Sequence, residues 1–169
     1  MINTSTERVI DVVATPAKMF AVAATATLAL SLAAAPASAG GSGRLMNAAT
    51  DLCLAVGKSE VKAGKKVIQW TCSDNKDQQW IYRGRKVVNA KTGMCLAIAR
   101  GSMVKGKYAI QWPCTDGGIE QEWVYDDEQR LRNRATGLCL AVGKGERTKG
   151  KWIIQWTCRD TAEQAWLWR

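Results

Sequence analysis

The sequence predicts an all-β protein closed into a barrel with internal threefold symmetry, and three observations carry that expectation. After residue 44 the chain is three copies of one unit, the copies read as short strands between turn clusters, and no stretch of them holds a capped helical period. The unit "LMNAATDLCLAVGKSEVKAGKKVIQWTCSDNKDQQW" from Leu45 returns from Val87 and again from Leu131, at a spacing of 42 to 44 residues. Its anchors keep step: Asn47, Asn89 and Asn133; Cys53, Cys95 and Cys139; the pairs Gln69-Trp70, Gln111-Trp112 and Gln155-Trp156; Cys72, Cys114 and Cys158; and Trp80, Trp123 and Trp166. About four strands per unit gives about twelve, and an odd number of units does not make a flat two-sheet sandwich, so a closed barrel is favoured.

The elements follow in chain order. Lys18, the apolar run Met19 to Ala35 and the small residues Ala37-Ser38-Ala39 have the layout of a secretory leader, so residues 1–39 are expected to be removed. A membrane anchor is the weaker reading, because the run is short and Ala-dominated, and no other run reaches the roughly 20 apolar residues of a span. Residues 40–169 then form one secreted, extracellular domain, expected to be a monomer, with repeats 45–86, 87–130 and 131–169. In each repeat an Asn-led turn precedes "CLAV" or "CLAI", a polar loop (57–64, 101–106, 143–150) and then "VIQW", "AIQW" or "IIQW", which is a hairpin. All six Cys lie in this part, as expected of a disulfide framework in an oxidising compartment. Six Cys allow fifteen connectivities. Repeat symmetry favours the local one, Cys53 to Cys72, Cys95 to Cys114 and Cys139 to Cys158, each contributing about 3 kcal/mol by loop-closure entropy.

Composition narrows the chemistry. The chain has no His, which removes a Ser-His-Asp triad, a Cys-His pair and an imidazole base or zinc ligand. There is no phosphate-binding Gly loop and no Cys-His cluster, so no metal and no cofactor are expected, and Asp126-Asp127-Glu128 reads as a surface loop. Lys and Arg number 24 against 15 Asp and Glu, a net charge of +9 that recurs in the inter-strand loops. Of eight Trp, the strand-end Trp80, Trp123 and Trp166 are expected in the core. Trp70, Trp112 and Trp156 are read as pocket platforms, with packing on the disulfides as the alternative. Trp152, aligned with Tyr108 and Lys66, reads as a local hairpin feature, and Trp168 has no assignment.

The three closing triplets Gln78-Gln79-Trp80, Gln121-Glu122-Trp123 and Gln164-Ala165-Trp166, with the Cys pairs and the "Asn-x-x-(Thr)-(Gly)-x-Cys-Leu" run, resemble the ricin B-chain-like lectin domain over essentially all of residues 40–169. The resemblance implies a β-trefoil, six barrel strands and six in capping hairpins, with up to three shallow sugar sites. In that family a site combines an Asp two residues after the first Cys, an aromatic two before the second, and an Asn beside the Gln of Gln-x-Trp. Here these positions hold Ala55, Ala97 and Ala141; Trp70, Trp112 and Trp156; and Asp77, Glu120 and Glu163. The platform is kept, the usual Asp is gone, and an acid stands in the Asn place; Ile68, Ile110 and Ile154 are a further departure. The expected ligand contacts are therefore Trp70, Asp77 and Gln78, Trp112, Glu120 and Gln121, and Trp156, Glu163 and Gln164, with each Gln bound to main chain first. A pyranose fits such a place: its C–H face stacks on an indole and its hydroxyls meet acid and amide.

The expected function is a secreted, non-catalytic, lectin-like protein whose partner is a carbohydrate or glycoconjugate, with acidic polysaccharide favoured by the charge. The alternatives are a trefoil protein-interaction module, such as a hydrolase inhibitor or toxin-like protein, and a small secreted hydrolase. No nucleic-acid partner and no membrane span are expected.

Overall fold

The computed structural model describes residues 41–169, so the expected leader lies outside the described residues. The strands are β1 (Ser42–Asn47), β2 (Cys53–Val56), β3 (Val67–Trp70), β4 (Gln79–Arg83), β5 (Lys86–Asn89) and β6 (Cys95–Ile98). They continue as β7 (Ala109–Trp112), β8 (Trp123–Tyr125), β9 (Leu131–Asn133), β10 (Cys139–Val142), β11 (Ile153–Trp156) and β12 (Trp166–Trp168). Each repeat thus supplies four.

Two of every four strands close a barrel. β1 pairs β4, β4 pairs β5, β8 pairs β9, and β12 returns to pair β1 through Leu45 opposite Trp168. Between these ladders the contact narrows to single bridges, Lys86 with Glu122 and Arg130 with Ala165. The other six strands are the hairpins β2/β3, β6/β7 and β10/β11, paired over four residues each. Their loops meet around the threefold axis through bridges between Lys66 and Ile110, Ile68 and Trp152, and Tyr108 and Ile154. This is a β-trefoil.

Period-two alternation decides what faces in. In β3 Val67 and Gln69 are buried while Trp70 is exposed, and the "VIQW" pattern repeats in β11. Trp80, Trp123 and Trp166 are fully buried with Leu45, Leu54, Leu96, Leu131 and Leu140. Each indole N–H donates to a main-chain carbonyl of its own repeat, that of Leu54, Leu96 or Leu140, at 2.9, 2.9 and 3.0 Å. The closing Trp of Gln-x-Trp therefore fills the core and ties the last strand of the repeat to its second without an orphaned donor. Tyr82 and Tyr125 donate hydroxyls to the carbonyls of Trp123 and Trp166, both at 2.8 Å, linking each repeat to the next. Trp168 occupies the third of these positions and packs edge-on to Tyr125, which assigns the residue the sequence left open.

The disulfides join Cys53 to Cys72, Cys95 to Cys114 and Cys139 to Cys158. Six 3₁₀ turns, invisible to the sequence reading, flank the hairpins; those at Gly57–Ser59, Ala99–Gly101 and Gly143–Gly145 follow β2, β6 and β10. Trp152 is corrected from a local hairpin feature. It meets Tyr108 at a ring separation of 6.0 Å, and the Lys66 ammonium sits 3.1 Å from its ring centre, so one residue from each repeat meets on the axis.

Candidate functional site

A cleft opens in each repeat between the hairpin and the 3₁₀ turn that precedes the closing Trp. The clefts measure about 500, 610 and 630 Å³ for repeats one, two and three. Their floors are Ala55, Ala97 and Ala141, the third residues of β2, β6 and β10, buried and without a polar side-chain atom, with Ile68, Ile110 and Ile154 beside them. Trp70, Trp112 and Trp156 form one wall and remain 47%, 46% and 39% exposed, because the outward position of β3, β7 and β11 carries them. The indoles are thus open platforms.

Each platform is backed by a different repeat. A Cβ on Gly150, Gly64 or Gly106 would lie 3.6 Å from the six-membered ring of Trp70, Trp112 or Trp156 respectively. All three glycines have φ of +79 to +80°, the left-handed region that favours glycine. The neighbouring Gln explains how that loop is held. Gln111 donates to the carbonyls of Glu60 and Lys62 at 2.7 and 2.9 Å and accepts from the Thr92 hydroxyl at 3.0 Å. Gln69 holds Glu146 and Thr148 in the same way, and Gln155 holds Ser102 and Val104. In every Gln-Trp pair the Gln is a buried clasp on the hairpin loop of the preceding repeat, taken cyclically, and the Trp an open platform.

The opposite wall carries the acids. Asp77 is only 6% exposed and Glu120 and Glu163 are half-buried, each lining the cleft of its own repeat. None of the three carboxylates has a hydrogen bond or ion pair within the described residues, and no buried side-chain oxygen there lacks a partner, so their oxygens are left open to the cleft. Asn89, Asn133 and Asn47, each from a neighbouring repeat, fix their main chain by donating to the carbonyls of Asp77, Glu120 and Glu163 at 2.9, 2.8 and 3.0 Å. Gln78, Gln121 and Gln164 also line the clefts, yet both ends of each amide are engaged. Gln78 donates to the Thr71 carbonyl and accepts from the Ser73 amide, both at 2.9 Å, and the other two repeat this with Pro113 and Thr115 and with Thr157 and Arg159. These amides shape the turn that presents the acid.

A third kind of residue completes the clefts and was missed at the sequence level. Lys58, Arg100 and Lys144 line them from the 3₁₀ turns, held at φ of 55, 60 and 56°. The signal was present, since each stands five residues after the first Cys of its repeat. Nearby, Lys65 hydrogen-bonded to Glu60 holds that carboxyl below its ordinary range, with Lys58 and Lys62 adding to the effect. Lys151 does the same for Glu146. Among the described residues no cluster of His, Cys, Asp and Glu is placed to hold a metal ion, and no helix is long and apolar enough to cross a membrane.

The arrangement of folds and clefts is that of a known family: residues 41–166 match the ricin-type beta-trefoil lectin domain, and the chain belongs to it. Among solved structures it is similar to the designed threefold-symmetric protein ThreeFoil, at 26% identity and a TM-score of 0.70, covering 75% of this chain and 96% of that one. It is also similar to the exo-β-1,3-galactanase 1,3Gal43A from Clostridium thermocellum, at 26% identity and a TM-score of 0.66, and to the hemolytic lectin CEL-III, at 29% and 0.67. Those alignments cover 75% and 76% of this chain but only 29% and 30% of the two longer ones. No curated protein matches the chain.

Proposed function

We propose that the protein is a secreted, non-catalytic carbohydrate-binding protein whose three clefts each take one sugar residue of a glycan or glycoconjugate. The observation that carries this is the recurrence, in all three repeats, of an open indole facing a carboxylate that has no partner among the described residues. A pyranose supplies what both lack: C–H groups for the indole face and hydroxyls to donate to the acid. Ala55, Ala97 and Ala141 remove the acceptor that the family places on the cleft floor, so Asp77, Glu120 and Glu163 take over as acceptors from the other wall. Lys58, Arg100 and Lys144 add a donor that also suits a carboxylated or sulfated sugar, which supports an acidic polysaccharide as the natural ligand.

Titration of the protein with neutral and acidic mono- and oligosaccharides, alongside the variants Trp70→Ala, Trp112→Ala and Trp156→Ala, tests the reading. Saturable binding weakened by each substitution is expected. A correctly folded protein that binds none of the sugars would overturn it, and capture of a protein partner that survives excess free sugar would favour an interaction module instead.

A further inference from the structure

The net positive charge of the chain belongs to the hairpin loops of the trefoil. The hairpin loops 57–66, 99–108 and 143–152 hold eleven Lys and Arg against two acids, Glu60 and Glu146, which equals the entire net charge of +9. Everything else in the chain sums to zero. The fold brings the three loops together: the Gly64, Gly106 and Gly150 amides donate to the carbonyls of Gln111, Gln155 and Gln69, each at 2.8 Å, and Lys66, Tyr108 and Trp152 meet on the axis. Charges scattered along the sequence therefore become one ring. Among the described residues only Lys65 and Lys151 of that ring form an ion pair, and the exposed Lys62, Lys105, Arg147 and Lys149 at the loop tips form none.

We infer that this hairpin cap is a polyanion-binding surface distinct from the three clefts, and that its occupant is an acidic polysaccharide. Like charges concentrated on one face raise the local concentration of a polyanion and hold it with little demand on geometry. A polysaccharide is favoured over an anionic lipid surface by symmetry. Basic residues recur in all three loops, whereas the exposed aliphatic tips Val61, Met103 and Val104 occur in two only, and the third presents Arg147 and Thr148. It is also favoured by continuity, since Lys58, Arg100 and Lys144 stand both in this cap and at the cleft walls, so a chain with a sugar in a cleft runs onto the cap. The choice of polysaccharide rests on the glycan reading of the clefts; the existence of the charged surface does not.

The test uses dextran sulfate, with uncharged dextran as its counterpart and phosphatidylglycerol vesicles as the lipid arm. Three variants are compared: Lys62→Gln/Lys105→Gln/Arg147→Gln on the cap, Arg83→Gln/Arg132→Gln/Arg169→Gln on the barrel, and the combined Trp70→Ala/Trp112→Ala/Trp156→Ala. All the charge substitutions are at exposed positions, and thermal melts check that the fold survives. Dextran sulfate is expected to bind and dextran not to, with the cap variant weakened about tenfold or more and the barrel variant far less. Raising salt from about 0.1 to about 1 M, which shortens the screening length from about 10 to about 3 Å, should release the polymer. Neutral-sugar binding should be lost in the Trp variant and kept in the cap variant. Equal weakening by the cap and barrel variants, loss of dextran sulfate in the Trp variant alone, or binding to vesicles without binding to dextran sulfate would each overturn the inference. Dextran sulfate held by the cap with no sugar bound in the clefts would sink the proposed function and leave the cap standing.

Discussion

At the residue scale the eight Trp show how one side chain serves opposite ends. Trp123 is fully buried with its N–H on the Leu96 carbonyl, while Trp112, eleven positions earlier, is 46% exposed over a cleft. Trp123→Ala is therefore expected to cost about 3 to 5 kcal/mol in chemical denaturation, whereas Trp112→Ala leaves the unfolding midpoint nearly unchanged and removes one sugar site. A comparable loss of stability in both would mean that the platforms are core residues after all. Asp77 separates function from stability in the same way. The residue is mostly buried but its carboxylate oxygens open to the cleft and have no partner among the described residues, so Asp77→Asn keeps the side-chain shape and removes the charge from the cleft wall. Sugar affinity of the first cleft is expected to fall about tenfold, equivalent to 1.4 kcal/mol, with no drop in melting temperature; calorimetry on the same sample reads both. The core Trp and the platforms were legible because each recurs at a fixed distance from a Cys. Lys58, Arg100 and Lys144 recur as regularly, but a basic residue in a Gly-rich loop looks like solvated charge until the 3₁₀ turn brings it to a cleft wall.

At the scale of elements, each hairpin is stabilised by a side chain from a different repeat. Gln111 belongs to the second repeat and holds two carbonyls of the first repeat's loop, so Gln111→Ala leaves the Glu60 carbonyl without its donor and the Lys62 carbonyl with only the Lys65 amide at 3.2 Å. Leaving that one part-buried carbonyl unpaired costs at most about 1 to 3 kcal/mol. Amide exchange should rise in residues 57–66, across the repeat boundary from the substitution; acceleration confined to repeat two would contradict the clasp. The loops also differ in acid. Glu60 and Glu146 are held below the ordinary carboxylate value of 4.5 by their hydrogen bonds to Lys65 and Lys151, while the second loop has Ser102 in that place. A carboxyl lowered in the folded state contributes stability above its unfolded value, and that contribution disappears as the pH falls through the folded value. Between pH 5 and the lowered values, loops one and three should loosen and loop two should not, as measured by amide exchange corrected for intrinsic rates. None of this interlocking was legible in the sequence. The repeats show that Gln-Trp recurs, but the partner of each Gln is main chain about 50 or 80 residues away in sequence, and main chain carries no composition signal.

At the scale of the whole molecule, three local disulfides staple three repeats, yet no repeat buries its own core, and the barrel closes only where β12 returns to β1. The threefold plan was legible because a period near 43 residues with matching anchors admits few other closed folds, and the even Cys count matched it. What the sequence hid was the polarity of the body. Lys66, Tyr108 and Trp152 share an aligned position but no side-chain chemistry, so nothing announced that they meet on the axis and draw the basic loops to one end. Interlocked repeats fix the clefts relative to one another, and a body that presents several weak sites at fixed spacing gains by engaging more than one copy of a repeated ligand. Such linkage raises apparent affinity by about 10² to 10⁴ over a single site when the geometry permits it. The proposed function therefore makes a prediction that depends on symmetry. Against free monosaccharide, Trp112→Ala should remove one site and leave the other two with unchanged affinity. Against a surface densely coated with the same sugar, the same substitution should weaken apparent affinity far more than in proportion to the sites lost, and a second platform substitution should bring it close to the single-site value. Surface plasmon resonance at high and low ligand density reads the difference: a strictly proportional fall at both densities would show that the clefts act singly and that their threefold arrangement serves folding alone.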